Sequence, residues 1–177
     1  MSSATFASGT ASVTLDPSQQ KESIGKAIGR IPSGVYIVTL SDKGERHGMM
    51  ATWVAQAAFE PPTISLSLNK QRQFLTQVVP GAQLTLNVLS ANNMNIFKSF
   101  AAPAKDGVDR FEGLSLVESK QASGPVFAEA VAYMDLKVTS LVEAGDHVVA
   151  LAEVVGGGLL NEEAQPLVHL RKNGFGY

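Results

Sequence analysis

Apolar and polar residues alternate along this chain at two different periods, and the changes of period mark its elements. Thr63, Ser65 and Ser67 alternate with Ile64, Leu66 and Leu68, the period of two expected of a strand with one face buried. Ala132, Met134, Leu136 and Val138 repeat that pattern against Asp135, Lys137 and Thr139, which places the second, polar set on a solvent face. Near the start, Ile24, Ala27, Ile28 and Ile31 instead fall at i, i+3, i+4, i+7 behind Asp16 and Pro17. An N-cap and first-turn pair followed by that spacing predicts a helix over about 17–30.

Pro32, Ser33 and Gly34 stop the helix, and GVYIVTL then reads as a β-branched strand, with SDKGER as its hairpin connection. The chain returns as one strand from His47 to Phe59, broken by Glu60, Pro61 and Pro62, because proline cannot donate to a ladder. The strand 63–69 leads into a short helix over about 71–79, and QLTLNVL resumes the strand pattern. Ser90 is placed to cap a second helix with Met94, Phe97 and Phe100 on its apolar face and Ile96 at its edge. The span 101–113, with Pro103, Gly107 and Gly113, reads as an exposed connection that is also placed to act as a lid, with Arg110 and Phe111 near its end. A strand over about 130–139 turns at Glu143–Asp146, and HVVALAEVVG pairs back with it until Gly156–Gly158 end it; PLVHL supplies a last short strand. Six or seven strands at hairpin spacing, with two or three helices and no regular βαβ rhythm, predict a mainly β, mostly antiparallel barrel with peripheral helices.

Length adds that 177 residues suit one ordinary domain, here 16–177. Residues 1–15 are mostly Ser, Ala, Thr and Gly and read as a disordered linker of the kind that tethers a module to something larger. A transit peptide would share the serine richness, but no Arg or Lys precedes Lys21. The net charge of −2 and pI near 5.9 offer no broad attraction to nucleic acid or to an anionic membrane. The run from Val148 to Leu160, with Glu153 and three glycines, is too short and too polar to span a bilayer, which needs about 20 apolar residues. With no cysteine, disulfides, thiolate catalysis and cysteine-held metals drop out, and the cytoplasm is the expected compartment.

The chemistry is selective in what it omits. No G-x-G-x-x-G or G-x-x-x-x-G-K cradle and no G-x-S-x-G elbow occurs, and His47, His147 and His169 stand in no metal-ligand spacing. Such gaps leave cofactor chemistry open, since there the reactive atoms belong to the cofactor. The densest set of suitable groups lies between His47 and Phe74. Thr52 has a hydroxyl beside the backbone amides of Met50, Ala51 and Trp53, and Asn69, Lys70, Gln71 and Arg72 gather donors at the exit of a strand. A strand-surface hydroxyl, a half-buried tryptophan and a solvated arginine are the plainer readings of Thr52, Trp53 and Arg72.

Taken in order, GVYIVTL, HGMMATWVAQAAFEPPTISLSLNKQRQF, LTLNVL, GDHVVALAEVVG and PLVHLRKNGFGY resemble the flavin reductase-like family of FMN-binding split barrels. The likeness is greatest to the C-terminal flavin reductase module of oxygen-reducing flavodiiron proteins of cyanobacteria. This resemblance implies a homodimeric split β-barrel that binds FMN, with FAD as the lesser alternative, and moves a hydride from NAD(P)H to it. Electrons would then pass to a partner site, the flavodiiron core of a larger chain. By position, Met50, Ala51, Thr52 and Trp53 would line the ring and phosphate, and Asn69, Lys70 and Arg72 would grip the phosphate and ribityl chain. Arg72 stands where many relatives carry a small hydroxyl residue. His147, in the G-D-H piece with Gly145 and Asp146, would lie by the nicotinamide. A non-catalytic, FMN-holding electron relay or dimerisation module with no NAD(P)H site of its own is the alternative reading.

Overall fold

The computed structural model describes residues 16–102, 107–117 and 122–176, so the linker reading of 1–15 and the tip of the loop at 103–106 lie outside the described residues. The chain divides into two compact units, Met1–Pro32 with Leu170–Tyr177, and Ser33–His169. In the first, α1 (Pro17–Ile28) starts in a capping box. The Asp16 carboxylate accepts from the amides of Ser18 at 2.9 Å and Gln19 at 3.0 Å, and the Gln19 side chain accepts from the Asp16 amide. The helix ends at Ile28, two residues short of the predicted limit, and the Gly174 amide donates to the Gly25 carbonyl at 2.6 Å, seating the C-terminal tail on it.

The second unit contains β1 (Ser33–Gly34), β2 (Tyr36–Asp42), β3 (Glu45–Ala51), β4 (Val54–Ala58), β5 (Thr63–Asn69), β6 (Gln83–Val88), β7 (Leu116–Val117), β8 (Val126–Phe127), β9 (Ala132–Ala144), β10 (His147–Leu159) and β11 (Val168–His169). Helix α2 (Met94–Ala101) follows β6, and a 3₁₀ turn at Gln73–Gln77 replaces the helix expected over 71–79. Seven strands form one antiparallel sheet in the order β3-β2-β6-β9-β10-β5-β4, while β1 pairs with β11 and β7 with β8. This is the mainly β, mostly antiparallel split barrel that the pattern and the resemblance implied.

The single strand expected from His47 to Phe59 is two strands at opposite edges of the sheet. Thr52 and Trp53 carry the chain from one edge to the other, and the Ser67 amide donates to the Trp53 carbonyl at 2.9 Å. The sheet therefore curls until its edges meet at a covalent corner. No proline or glycine breaks the stretch from Met49 to Ala58, so the break comes from the curl of the sheet and not from a turn residue.

Two clusters fill the two faces. Val38, Leu66, Leu68, Leu84, Leu86, Leu136 and Ala150 pack inside the barrel. Ile37, Leu89, Ile96, Phe100, Phe111 and Phe127 pack on the outer face near α2. Each large apolar side chain so buried stabilises the fold by about 1.5–3 kcal/mol. Burial on both faces explains why YIVTL reads as a continuous apolar run rather than an alternation.

Four expectations change here. Asp135, assigned to solvent, is 2% exposed. It belongs to a buried polar row with Thr39, Thr85 and Asn87, roofed by Ser123–Phe127. Thr85 donates to Asp135 at 3.0 Å, Thr39 to the Pro125 carbonyl at 2.8 Å, and the Phe127 amide to Asn87 at 3.0 Å, so most of the row's polar groups are bonded. Ser90 does not cap α2. Asn93 holds that position and accepts from the Ser90 amide and hydroxyl, and the buried face runs through Ile96 and Phe100 while Met94 is 44% exposed. The strand at 130–139 continues to Ala144. Finally, β10 runs on through Gly156–Gly158, with register shifts after Leu151 and Val154, because glycine lets a strand bend through a bulge without ending it.

Candidate functional site

The corner between β3 and β4 sets the site. The Trp53 ring lies against the His147 ring with centroids 4.7 Å apart and planes tilted by 35°. His147 opens β10, where it pairs with Asn69 at the end of β5. Gly145 precedes it at φ 61°, a left-handed conformation that glycine adopts without strain and that reverses the chain within two residues. The curl of the sheet thus assembles residues 53, 69 and 147, which are distant in sequence.

His147 is 7% exposed, and its Nδ1 lies 2.7 Å from the Asp146 carboxylate. An ionised carboxylate only accepts, so Nδ1 carries a proton and donates. The bond to His147 is also the main cause that holds the Asp146 carboxyl below its usual range, so the group stays ionised until the pH falls beneath the ordinary aspartate range. The other ring nitrogen, Nε2, is buried and has no partner among the described residues; the hydroxyl Oγ1 of Thr52 shares that state. Buried polar atoms are rarely left unbonded, and here two of them belong to Thr52, next to Trp53 in the chain, and to His147, stacked on the same indole.

The other expected residues fall as follows. Met50 packs against the cluster near α2, and Ala51 is buried inside the barrel, so the side chains of both serve packing. The Asn69 side-chain carbonyl accepts from the Gln71 amide at 2.9 Å, and the Arg72 amide donates to the Asn69 carbonyl at 3.0 Å. Asn69 therefore shapes the turn that projects Arg72. Lys70 pairs with Glu143 of the β9–β10 hairpin. Arg72 is exposed at the rim of a cleft of about 500 Å³, shared with Gly48, Met49, Gln77 and Gly107–Phe111. Arg110 and Gln77 on this cleft were not singled out as site residues; their signal in sequence was only a charge in a loop and an amide in a short turn.

Gly48 keeps the cleft wall thin. A Cβ there would lie 2.6 Å from Phe100 Cε1 and 3.0 Å from Phe111 Cζ, two rings that are themselves buried. Gly48→Ala is expected to destabilise the unit by about 1–3 kcal/mol through overpacking, read as a lower urea midpoint with an unchanged m-value.

Residues 28–176 match the model of the flavin reductase like domain. The chain belongs to the flavin reductase-like family. This flavin reductase-like chain is 35% identical over 155 residues to the putative diflavin flavoprotein A 6 of Nostoc sp., covering 87% of this chain and 27% of that protein. It is 37% identical over 154 residues to diflavin flavoprotein A 1 of Synechocystis sp., covering 86% and 26%. It spans about a quarter of the length of these relatives, in line with the expected likeness to one module of a larger flavoprotein. The NADH:FAD oxidoreductase of Streptomyces globisporus shares the fold, with a TM-score of 0.77 at 24% identity over 92% of this chain and 95% of that one. No helix among the described residues is long and apolar enough to cross a membrane.

Proposed function

We propose that this chain is a flavin reductase module that binds FMN at the Thr52–Trp53 corner, accepts a hydride from NAD(P)H there, and passes electrons to the flavodiiron core of a larger protein. A homodimer in the cytoplasm is part of this reading. The observation that carries it is that two buried atoms without a partner among the described residues, Thr52 Oγ1 and His147 Nε2, belong to the residue before Trp53 and to the residue whose ring lies against the Trp53 indole. Both are groups that a flavin nucleotide and its hydride donor can satisfy, being rich in carbonyls, ring nitrogens and amide hydrogens. Family membership and the diflavin names of the relatives support the cofactor class, and the name of the Streptomyces protein, NADH:FAD oxidoreductase, supports the pairing of a nicotinamide with a flavin.

When bound, FMN supplies the ring that accepts the hydride. The chain's own residues bind, orient and screen. Thr52 donates its hydroxyl proton, and the indole of Trp53 gives an apolar wall. β3 is an edge strand, so one row of its backbone groups is not used by a sheet ladder and is available to a ligand's polar rim. Amides so placed favour negative charge growing on that rim, the preorganised-dipole effect. Asp146 fixes which nitrogen of His147 faces the bonded side, leaving Nε2 for the carboxamide of a nicotinamide. The turn shaped by Asn69 holds Arg72 for the phosphate, and Lys70 adds positive charge beside it.

The deciding measurement is anaerobic stopped-flow mixing of the FMN-loaded chain with NADH or NADPH. Loss of the oxidised flavin band with at least one of them is expected. Retained yellow colour with no bleaching by either refutes the reductase reading and leaves a module that only holds flavin.

A further inference from the structure

A second cavity, of about 380 Å³, opens from the barrel interior. Its apolar walls come from Val54, Ile64, Leu86, Met134 and Val154, which belong to the interior cluster or pack against it. Val54 and Gln56 on β4 stand opposite Leu66 and Ile64 on β5, and directly opposed residues share a face of the sheet. His147 lies on the other face, because Ala150 and Ala152 of the same strand point into the interior and side chains alternate. The cavity is therefore separate from the corner where the Trp53 and His147 rings meet.

Ile64 and Leu86 are buried, whereas Val54, Met134 and Val154 are only half-buried and leave apolar surface facing this space. Water against such walls is poorly held, and an apolar group that displaces it gains affinity. No charged side chain among the described residues lines the cavity, so a charged ligand would surrender its hydration with nothing to replace it. That selects against nucleotides and carboxylates. A cavity of about 150 Å³ already admits benzene, and this one, more than twice that size, suits two fused rings. The polar groups are few. Tyr36 brings a hydroxyl that has no hydrogen-bond partner among the described residues, and burial pushes its phenol pKa up, so it stays protonated and can donate. A Cβ on Gly34 would overlap that hydroxyl, so glycine there gives the phenol tip its room. Gln56 is exposed, and its side-chain amide donates to the Ala58 carbonyl at 3.4 Å. The Met134 thioether adds a soft, polarizable surface of the kind that favours an aromatic ring.

We propose that this cavity binds a neutral two-ring aromatic molecule carrying one hydroxyl or carbonyl oxygen, with the Tyr36 hydroxyl donating to that oxygen and Met134 against the ring. The ligand is distinct from flavin and from nicotinamide, and the site stands without the flavin reading.

The test titrates the full chain, labelled with ¹³C-methyl methionine, with 2-naphthol and with naphthalene as the ring system alone, the signals being assigned through Met134→Leu. The Met134 methyl signal is expected to shift saturably with a Kd below about 1 mM, while that of Met94, exposed on α2 and outside the cavity, stays in place. Tyr36→Phe is expected to raise the Kd for 2-naphthol about 2- to 10-fold and to leave naphthalene bound no more weakly. Saturating FMN should change neither titration. Absence of a saturable Met134 shift in the parent chain overturns the proposal, including the case in which a second copy of the chain covers the mouth. Equal movement of Met94 and Met134 marks non-specific adsorption and overturns it as well. A folded Tyr36→Phe protein with an unchanged Kd for 2-naphthol overturns the assigned ligand class, and should that variant not fold, the Met134 titration of the parent chain decides. Competition by FMN overturns the separate site and leaves the flavin reading standing, whereas failure of the chain to bind FMN refutes that reading and leaves this one.

Discussion

Replacing His147 with alanine is expected to slow flavin reduction by roughly 100-fold while FMN remains bound, the scale on which misplacing a reactant costs rate. The separation of the two readouts follows from geometry. His147 is held by Asp146 through Nδ1 and by the indole of Trp53 on its face, and it directs Nε2 into a buried space with no protein partner among the described residues. Its removal takes away a positioning group for the hydride donor and leaves the Thr52 hydroxyl and Arg72 in place. Stopped-flow reduction at saturating NAD(P)H, beside a flavin titration of the same variant, checks both halves. An unaltered rate rejects the role for His147, and lost FMN binding with a normal rate per bound flavin moves it to the cofactor side.

The second large effect is one in which stability and binding move in opposite directions. Thr52→Val keeps the β-branched shape but deletes a buried hydroxyl that has no partner among the described residues. In the cofactor-free chain this removes a desolvation penalty, so stability should rise by about 1 kcal/mol. In the presence of FMN the same change deletes a donor and should weaken binding by about 1.5–3 kcal/mol, roughly 10- to 150-fold if the acceptor is charged. Arg72→Ala should weaken binding by a similar amount with little change in the stability of the cofactor-free chain, since the residue is exposed. Thermal melts with and without FMN give both numbers. If Thr52→Val is less stable without cofactor, the hydroxyl has a structural partner, and unchanged FMN affinity in both variants removes Thr52 and Arg72 from the site.

How much of this was legible beforehand depends on the range over which each interaction acts. Asp16, Pro17 and Gln19 announce α1 because a capping box is settled within four residues. Lys43 and Gly44 announce the β2–β3 hairpin because positive φ angles are local. The alternation of β5 was read correctly because one of its faces meets the core and the other does not. The stretch from His47 to Phe74 was singled out for its donors, and the structure does bring Trp53, Asn69 and His147 together. It also turns Met50 and Ala51 into packing groups, gives Asn69's side-chain carbonyl to a turn, and lines the cleft at Arg72 with Arg110 and Gln77.

The misreadings share one cause. Asp135 looks like a surface acid until Ser123–Phe127 is laid over its face, and Ser90 looks like a cap until Asn93 takes the position. The break at Thr52 and Trp53 has no local mark at all.

For this protein, then, the order of residues by itself determined the elements, their antiparallel pairing by hairpins, the absence of thiol chemistry and, through its ordered likeness, the family. Only the tertiary structure decided how far the sheet curls. That curl brings the β3–β4 corner, the end of β5 and the start of β10 to one place, leaving Thr52 and His147 each with a buried atom that has no partner among the described residues. Periodicity and caps act over a few residues and are written in sequence, whereas the curl of a seven-stranded sheet is a sum over every strand pair and is written nowhere in particular.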